Sequence, residues 1–173
     1  YKATFFDGEC AVIATDIPAE EQGTGMLFNM DGEVVGMISS SVWNDTGKNV
    51  VNAYGISDLK PIIELLINGK SVPYIGIYGT TVTEQLAEEH KMPSGIYVAD
   101  VDPDSPAMAA GIQIGDIICE ASGEEIKDIA AYQNIVIGSS VGETMEFVGK
   151  RLGSDGYVNI KFSVVTTEKE EVK

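Results

Sequence analysis

The run from Val98 to Ile126, VADVDPDSPAMAAGIQIGDIICEASGEEI, constrains the fold of this chain more than any other stretch. Its first residues predict a strand, and DSPAMAAG predicts a helix of only a few residues that Gly111 closes. IGDIICEASG predicts a second strand, which runs into a turn at Ser122-Gly123. Strands joined by so short a helix indicate a domain built mainly of β structure.

Elements of the same kind flank this run. Upstream, VPYIGIYG predicts a strand, and TVTEQLAEEHKMP predicts a short helix that Thr81 or Thr83 caps and that stops at Pro93. Downstream, a helix begins at Asp128, and GETMEFVGKRLGSDGYVNIKFSVV predicts a hairpin with a loop rich in turn residues. The last residues, 167–173, form a polar tail that we expect to fray.

The chain divides near residue 70, where the segment SDLKPIIELLINGK ends in an Asn-Gly turn. This segment predicts one amphipathic helix with Ser57 as its N-cap. Before it, short apolar runs separated by Gly, Asp and Asn predict antiparallel strands. The fold class expected for the whole chain is therefore mainly β with short helices (α+β).

Charge and hydropathy exclude several classes of function. Acidic residues outnumber basic ones 27 to 11, and this net charge of −16 repels the phosphate backbone that a nucleic-acid-binding protein must neutralise. We therefore expect no nucleic-acid partner. The apolar runs fall well short of the ~20 residues that a membrane span needs. Since the chain opens at Tyr1 without an initiator Met, we expect a processed or excised product whose upstream signal or anchor is missing.

No pattern in the sequence indicates a metal or a cofactor, and we expect neither. Asp100, Asp102 and Asp104 alternate in DVDPD, but the Gly and the terminal Glu of a calcium loop are absent at the required spacings. The stretches GTG and GSDG lack the Lys-Ser/Thr of a phosphate loop, and no C-x-x-C or H-E-x-x-H suggests zinc. Cys10 and Cys119 stand in apolar contexts and are expected to be small buried residues.

Residues 72–166 resemble a PDZ domain of the kind that follows the protease domain in HtrA-like bacterial serine proteases. The resemblance rests on YIGI at Tyr74–Ile77, on the run from Val98 to Ile126 and on the helix from Asp128. Ser122-Gly123 replaces the Asn-Gly turn of the family, a change that turns accept. The expected domains are the C-terminal part of a trypsin-like barrel at 1–70, a PDZ domain at 71–166 and the polar tail at 167–173.

The first domain resembles the same family but lacks its nucleophile. The family motif T-D-A-x-I-N-P-G-N-S-G-G-P-L carries the catalytic serine and the oxyanion-hole glycine, whereas this chain reads TDIPAEEQGTGMLF from Thr15. Counting from the two ends of the motif puts Thr24 or Gly23 at the serine position. A glycine cannot attack, and the β-methyl group of threonine crowds the attack. The resemblance therefore implies a degenerate, inactive protease domain without catalytic residues.

A second interpretation stays open, namely a fragment of an active HtrA-like serine endopeptidase whose His- and Asp-bearing N-terminal half is missing. In trypsin-like proteases both residues precede the serine, and this chain begins too late to contain them. Its only histidine, His90, follows the nucleophile position and is expected to be solvated at the end of a helix. The upstream sequence would separate the two interpretations.

The PDZ resemblance implies a peptide-binding groove. Such a domain adds an extended peptide as a strand and captures its terminal carboxylate with the backbone N–H groups of a loop. Here the loop would be Tyr74-Ile75-Gly76-Ile77, in which Gly76 allows close backbone approach and Ile75 and Ile77 line an apolar pocket. The helix from Asp128 would supply the opposite wall, unless its apolar residues are ordinary core residues. These wall residues are Tyr132, Ile135 and Val136.

The expected partners are the C-termini of peptides or unfolded proteins. Residues 71–173 contain 17 acidic and 7 basic side chains, which favours Lys or Arg upstream of an apolar last residue. Residues 1–54 offer about five strands where a trypsin-like C-terminal barrel needs about six, so an unpaired edge predicts homo-oligomers formed through this region. The resemblance implies an extracytoplasmic location, in the cell envelope, with a membrane anchor in a missing N-terminal segment as one option.

Overall fold

The structure, a computed structural model, describes residues 1–18, 23–42 and 50–169. Contacts divide the chain into two compact units, Tyr1–Ala3 with Glu9–Asn68 and Thr4–Gly8 with Gly69–Lys173. Strands joined by short helices make up both units, which confirms the predicted fold class. The domain boundaries at 1–70, 71–166 and 167–173 stay a prediction, and the membership of Thr4–Gly8 in the second unit was not foreseen.

Within its described residues, the first unit is built on a five-stranded sheet. Alternation along the second strand turns Cys10 and Val12 inward, where they are buried with Ala53 and with Val42 of a 3₁₀ turn. The strands are β1 (Lys2–Phe5), β2 (Gly8–Pro18), β3 (Gly25–Phe28), β4 (Val34–Ile38) and β5 (Val50–Gly55). Their order in the sheet is β1-β2-β5-β4-β3.

Helix α1, Ile56–Ile67, follows β5 without a connecting loop. The predicted N-cap at Ser57 is therefore wrong, because Gly55 at the end of β5 takes the capping position and Ser57 lies inside the first turn. The carboxylate of Asp58 accepts a 2.7 Å hydrogen bond from the backbone N–H of Ala11, which attaches the helix to β2. The helix ends before Asn68, as its Asn-Gly turn predicted.

The strands of the second unit are β6 (Pro73–Tyr74), β7 (Ile77–Val82), β8 (Gly95–Val101), β9 (Ile117–Ala121), β10 (Glu124–Glu125), β11 (Thr144–Gly153), β12 (Gly156–Val165) and β13 (Thr167–Glu168). They form an antiparallel sheet whose path runs β12-β11-β9-β8-β7, so that β7 is its end strand among the described residues, and the short β10 pairs with β9. β13 pairs with β6 in a separate two-stranded sheet. The expected fraying of the tail is therefore wrong at Thr167 and Glu168, whose backbone is held by β6.

Three short helices connect these strands, and each begins with a side-chain cap. Thr83, one of the two capping residues that the sequence allowed, accepts a hydrogen bond from the N–H of Leu86. Asp128, where the sequence placed the start of a helix, accepts one from the N–H of Ala131. Ser105 accepts one from Met108 in the same way. The helices are α2 (Glu84–His90), α3 (Pro106–Ala109) and α4 (Ile129–Gly138).

One ion pair is anchored in this unit by a fully buried carboxylate, Asp116. The guanidinium of Arg151 on β11 donates to both carboxylate oxygens, through Nε at 2.6 Å and Nη2 at 2.8 Å. The N–H of Gln113 donates to the same carboxylate at 2.9 Å. Bidentate geometry of this kind satisfies a buried charge far better than a point contact does. The pair therefore fixes the turn before β9 against β11.

Candidate functional site

Three consecutive backbone N–H groups between β6 and β7 converge on one carboxylate. Those of Ile75 and Gly76 each donate to Oδ2 of Asp7 at 2.7 Å, and that of Ile77 donates to Oδ1 at 2.9 Å. Asp7 belongs to the segment Thr4–Gly8, which is part of the same compact unit as the loop. The predicted loop is thus a set of donors arranged to bind a carboxylate.

Glycine at position 76 is required by both backbone conformation and space. Its φ is +94°, and a Cβ built on it would lie 2.4 Å from Cβ of Ser105. The carbonyls of the loop are bonded elsewhere, that of Ile75 to the N–H of Ala107 and that of Gly76 to the N–H of Asp102, both at 2.9 Å. Gly76 therefore makes room for Ser105, and its role in the close approach of a ligand stays a prediction.

The side chains of Ile75 and Ile77 are fully buried in the hydrophobic core of this unit. Their burial holds the loop in place while the backbone N–H groups face Asp7. The structure thus gives both residues a packing role, and a further role as the lining of an apolar pocket stays a prediction.

Helix α4 adds a fourth donor to the site. The N–H of Ile129 donates to Oγ1 of Thr81 at 3.1 Å, which fastens the start of the helix to β7. One turn later, the fully buried Tyr132 donates its hydroxyl to Oδ1 of Asp7 at 2.6 Å. Its ring lies 6.4 Å from the ring of Phe147 in the core. Packing of the Tyr132 ring near Phe147 in the core therefore positions the Tyr132 hydroxyl against Asp7.

The carboxylate of Asp7 is held by neutral donors in a buried place. Only 8% of Asp7 is exposed. Burial raises the pKa of Asp7 above its ordinary value, and the hydrogen bonds from Tyr132 and from the three loop amides oppose this rise. Burial and the neighbouring Asp7 charge likewise raise the pKa of Tyr132, which keeps its hydroxyl a donor. The ionised carboxylate thus carries a desolvation cost that hydrogen bonding offsets in part.

A second carboxylate, Asp102, lies at the outer side of the loop. It accepts a hydrogen bond from the hydroxyl of Tyr74, and the ammonium of Lys169 lies 3.5 Å from it. The same ammonium lies 5.0 Å from the ring centre of Tyr74 and 5.1 Å from that of Phe6, within cation–π range. Burial and Asp102 raise the pKa of Tyr74. The ammonium of Lys169 therefore lies near the loop and pairs with Asp102. The described hydrogen bonds to the Asp7 carboxylate come from uncharged donors.

Of the predicted site residues, Ile75, Gly76, Ile77 and Tyr132 donate hydrogen bonds to Asp7. The hydroxyl of Tyr74 bonds instead to Asp102. Val136 is buried in the core, and Ile135 packs against the core from a partly buried position. Ile135 also lines a separate surface cavity, together with Ser122, Glu124 and Met145. Helix α4 thus reaches the carboxylate through Tyr132, while Val136 serves packing.

Sequence reasoning missed two residues of the site, Asp7 and Gln133. A Cβ built on Gly8 would lie 2.5 Å from Cδ of Gln133, so the backbone at Gly8 packs directly on this side chain. The Asp-Gly pair in FFDGEC is a local turn signal. Nothing near it indicates a partner loop that follows 68 to 70 residues later.

Comparison with known proteins identifies the family. The sequence model described as "PDZ domain" matches residues 97–151. A probable periplasmic serine endoprotease, DegP-like, from Halomonas elongata is 30% identical over 155 residues, which cover 86% of this chain and 32% of the relative. Serine protease Do-like HtrA from Bacillus subtilis is 30% identical over 174 residues, which cover 92% of this chain and 38% of the relative. This chain is an HtrA-like protein with a PDZ domain.

The HtrA-like chain spans about a third of the length of the curated relatives it matches. Among solved structures, the HtrA-type protease AlgW is similar with a TM-score of 0.54 and 21% identity, over 86% of this chain and 46% of that one. A likeness at this level of identity concerns the fold.

The candidate nucleophile positions of the HtrA-like chain are open to solvent. Gly23 and Thr24 are exposed and immediately precede β3. His90 is exposed at the C-terminal end of α2, as the sequence predicted. Within residues 1–18, 23–42 and 50–169, no group of three or more His, Cys, Asp or Glu side chains could hold a metal ion. The helices of this described part are too short or too polar to cross a membrane.

Proposed function

We propose that this chain is a peptide-binding PDZ module attached to the remnant of a catalytically degenerate HtrA-like protease domain. The observation that carries the proposal is the convergence of the amides of Ile75, Gly76 and Ile77 and the hydroxyl of Tyr132 on one carboxylate. Backbone donors fixed in this way can receive the terminal carboxylate of a peptide.

The end strand of the sheet supports binding by strand addition. β7 begins at Ile77, the last residue of the carboxylate loop (Tyr74–Ile77), and among the described strands it has one sheet neighbour, β8. Its outer edge faces α4, whose first N–H bonds to Thr81 of β7. A peptide whose carboxylate lies in the loop would run along this edge as an added strand. In line with this mode, the HtrA-type protease AlgW has been solved with a decapeptide.

The charge of the module favours a basic ligand. With 17 acidic and 7 basic side chains in residues 71–173, Lys or Arg upstream of the terminus is attracted and Asp or Glu is repelled. We propose as clients the C-termini of peptides or unfolded proteins that end in Val, Leu, Ile or Phe.

We propose that the protease domain is degenerate because Gly23 or Thr24 stands at the position where the family has its nucleophilic serine. The names of the relatives, which are serine endoproteases, favour the alternative of a fragment of an active endopeptidase. We prefer the binding module because the site that is geometrically complete in this chain is the carboxylate loop.

Location and assembly complete the proposal. Relatives named as periplasmic support an extracytoplasmic location, for which a membrane anchor upstream of residue 1 would be one solution.

In the first unit, the end strand β3 exposes Met26 and Phe28 at 63% and 56%. We propose homo-oligomers formed through residues 1–54. A monomer by light scattering at high concentration would contradict this assembly.

Calorimetric titration with the hexapeptide KRKAFV tests the binding function. The free acid and its C-terminal amide are titrated into the whole chain and into the variant Asp7→Gly, which frees the loop. Glycine accepts the φ of +64° found at position 7 without strain. We expect the free acid to bind with an affinity on the order of micromolar and the amide to bind at least about tenfold more weakly. Equal binding of the two forms would refute carboxylate capture.

A further inference from the structure

The carboxylate that fills the loop belongs to the chain itself. The turn Phe6-Asp7-Gly8, called the acidic turn below, places the Asp7 side chain on all three loop amides. We propose that the acidic turn is a built-in ligand of the carboxylate loop, so that an external peptide binds only by displacing it. This inference rests on the proposed peptide-binding function and adds its regulation.

The acidic turn reproduces backbone as well as side-chain contacts of a bound strand end. The N–H of Asp7 donates to the carbonyl of Ile77 at 2.7 Å, which is the first carbonyl of β7. A peptide added to this edge would need that same carbonyl for its own last residue. Both the anion site and the first strand contact are therefore taken by Asp7.

The neighbours of Asp7 in the turn occupy the two walls of the groove. The ring of Phe6 lies 5.8 Å from the ring of Tyr78 on β7 in an edge-to-face arrangement. The ammonium of Lys169 lies 5.1 Å from the centre of the Phe6 ring. On the helix side, the backbone at Gly8 packs on Gln133 of α4. The turn thus contacts β7 and α4 at once, which leaves no room there for a second chain.

Two carboxylates cannot share these donors. All three amides lie within 2.9 Å of Asp7 oxygens, and the Tyr132 hydroxyl points to the same group. A second anion would meet like charge in a buried place, where repulsion is weakly screened. Binding of the turn and binding of a peptide terminus are therefore mutually exclusive.

The terminal carboxylate of a peptide can nevertheless displace the acidic turn from the loop. The groups that hydrogen-bond to the Asp7 carboxylate are neutral donors. Near the loop, the charges of Asp102 and Lys169 pair with each other at 3.5 Å. Burial raises the pKa of Asp7, so its ionised form is held at a desolvation cost. An incoming terminal carboxylate offers the same oxygens together with additional strand contacts. It can therefore compete with the turn.

The size of the effect follows from the fraction of molecules in which the loop is open. The apparent affinity is the intrinsic affinity multiplied by that fraction, so a loop that is open in about 1% to 10% of molecules binds about 100- to 10-fold more weakly. Removing the Asp7 carboxylate should therefore raise the apparent affinity for the peptide by about 10- to 100-fold.

The experiment compares four forms of the whole chain, namely wild type, Asp7→Gly, Asp7→Asn and the control Asp155→Asn. Asp7→Asn keeps the shape of the side chain, and Asn tolerates positive φ. The control makes the same change of charge in the exposed turn between β11 and β12. The probe is the KRKAFV free acid, measured by calorimetry. Without peptide, NMR spectra report the amide proton shifts and the hydrogen exchange of Ile75, Gly76 and Ile77.

We expect Asp7→Gly and Asp7→Asn to bind the probe at least about tenfold more tightly than wild type and the control do. In the absence of peptide, the three loop amides should shift and exchange faster in both variants. Equal affinity in wild type and Asp7→Gly would overturn the built-in ligand and leave the proposed function standing. Absence of binding in all four forms would instead overturn the proposed function, and the regulatory role with it.

Discussion

The hydroxyl of Tyr132 donates to the carboxylate of Asp7 at 2.6 Å, across 125 positions of sequence. This bond joins helix α4 to the acidic turn inside one compact unit. Both partners are buried, so neither can exchange its partner for water without a local opening of the structure.

The first prediction concerns this bond. Tyr132→Phe keeps the ring in the core but leaves the buried carboxylate one donor short, and we expect a loss of about 1–3 kcal/mol in the free energy of unfolding. Urea denaturation measures it, with Tyr97→Phe on β8 as a control that removes a hydroxyl from a half-buried ring. In the double variant Tyr132→Phe, Asp7→Gly the losses should not add, because both changes remove the same contact. Strict additivity would show that the bond contributes nothing.

The second prediction is a pH dependence of stability set by Asp7. Its pKa is raised in the folded state, so on acidification the folded chain takes up this proton before the unfolded chain does. The stability that Asp7 contributes is thus fully present below the ordinary value of 3.8 and is lost as the pH rises through the raised pKa. We expect the free energy of unfolding of wild type, relative to that of Asp7→Asn, to fall as the pH rises through this window.

Urea titrations over a pH series measure this difference, in which carboxylates common to both chains cancel. The same difference taken between wild type and Asp155→Asn should be nearly flat, because Asp155 is exposed. A difference for Asp7 that grows with pH would mean that hydrogen bonding outweighs desolvation at this carboxylate.

Local patterns predicted much of the second unit, including a threonine cap on α2 and a helix that starts at Asp128. Such signals act over a few residues and depend little on the rest of the chain. The N-cap at Ser57 failed because β5 runs straight into α1, a tertiary arrangement that overrides capping preference. Asp7 could not be assigned to the loop at all, since its partners lie 68 to 70 residues away and a turn motif carries no information about them.

The third prediction separates backbone strain from crowding at Gly76. Gly76→Ala places a Cβ 2.4 Å from the Ser105 side chain at a φ of +94°, and we expect it to cost several kcal/mol. The matched control is Gly115→Ala, which has the same φ but no atom within 4 Å of the added Cβ and should cost about 1 kcal/mol. Thermal unfolding of both variants measures the difference. Equal losses of stability in the two variants would show that the Ser105 side chain moves aside at no measurable cost.

The fourth prediction concerns the buried carboxylate of Asp116. Arg151→Met removes both guanidinium contacts and leaves the carboxylate with the N–H of Gln113 as its remaining described partner, which we expect to cost about 2–4 kcal/mol. Arg151→Lys keeps the charge but not the bidentate geometry, so it should recover part of the loss. Urea midpoints at fixed pH measure both. A variant Arg151→Met as stable as wild type would show that the pair contributes nothing net.

The last prediction is that this chain forms no covalent adduct at its nucleophile position. Gly23 has no side chain to attack with, and the hydroxyl of Thr24 is a weak nucleophile unless a general base activates it. Its secondary carbon also crowds the approach to a phosphorus or carbonyl centre. We expect no labelling by a fluorophosphonate probe and no cleavage of unfolded casein, under conditions in which trypsin is labelled and active. Mass spectrometry of the intact chain and of its peptides locates any adduct. Labelling at Thr24 that disappears in Thr24→Ala would restore the interpretation of an active endopeptidase fragment, whereas labelling unchanged in that variant would reflect a reactive group elsewhere.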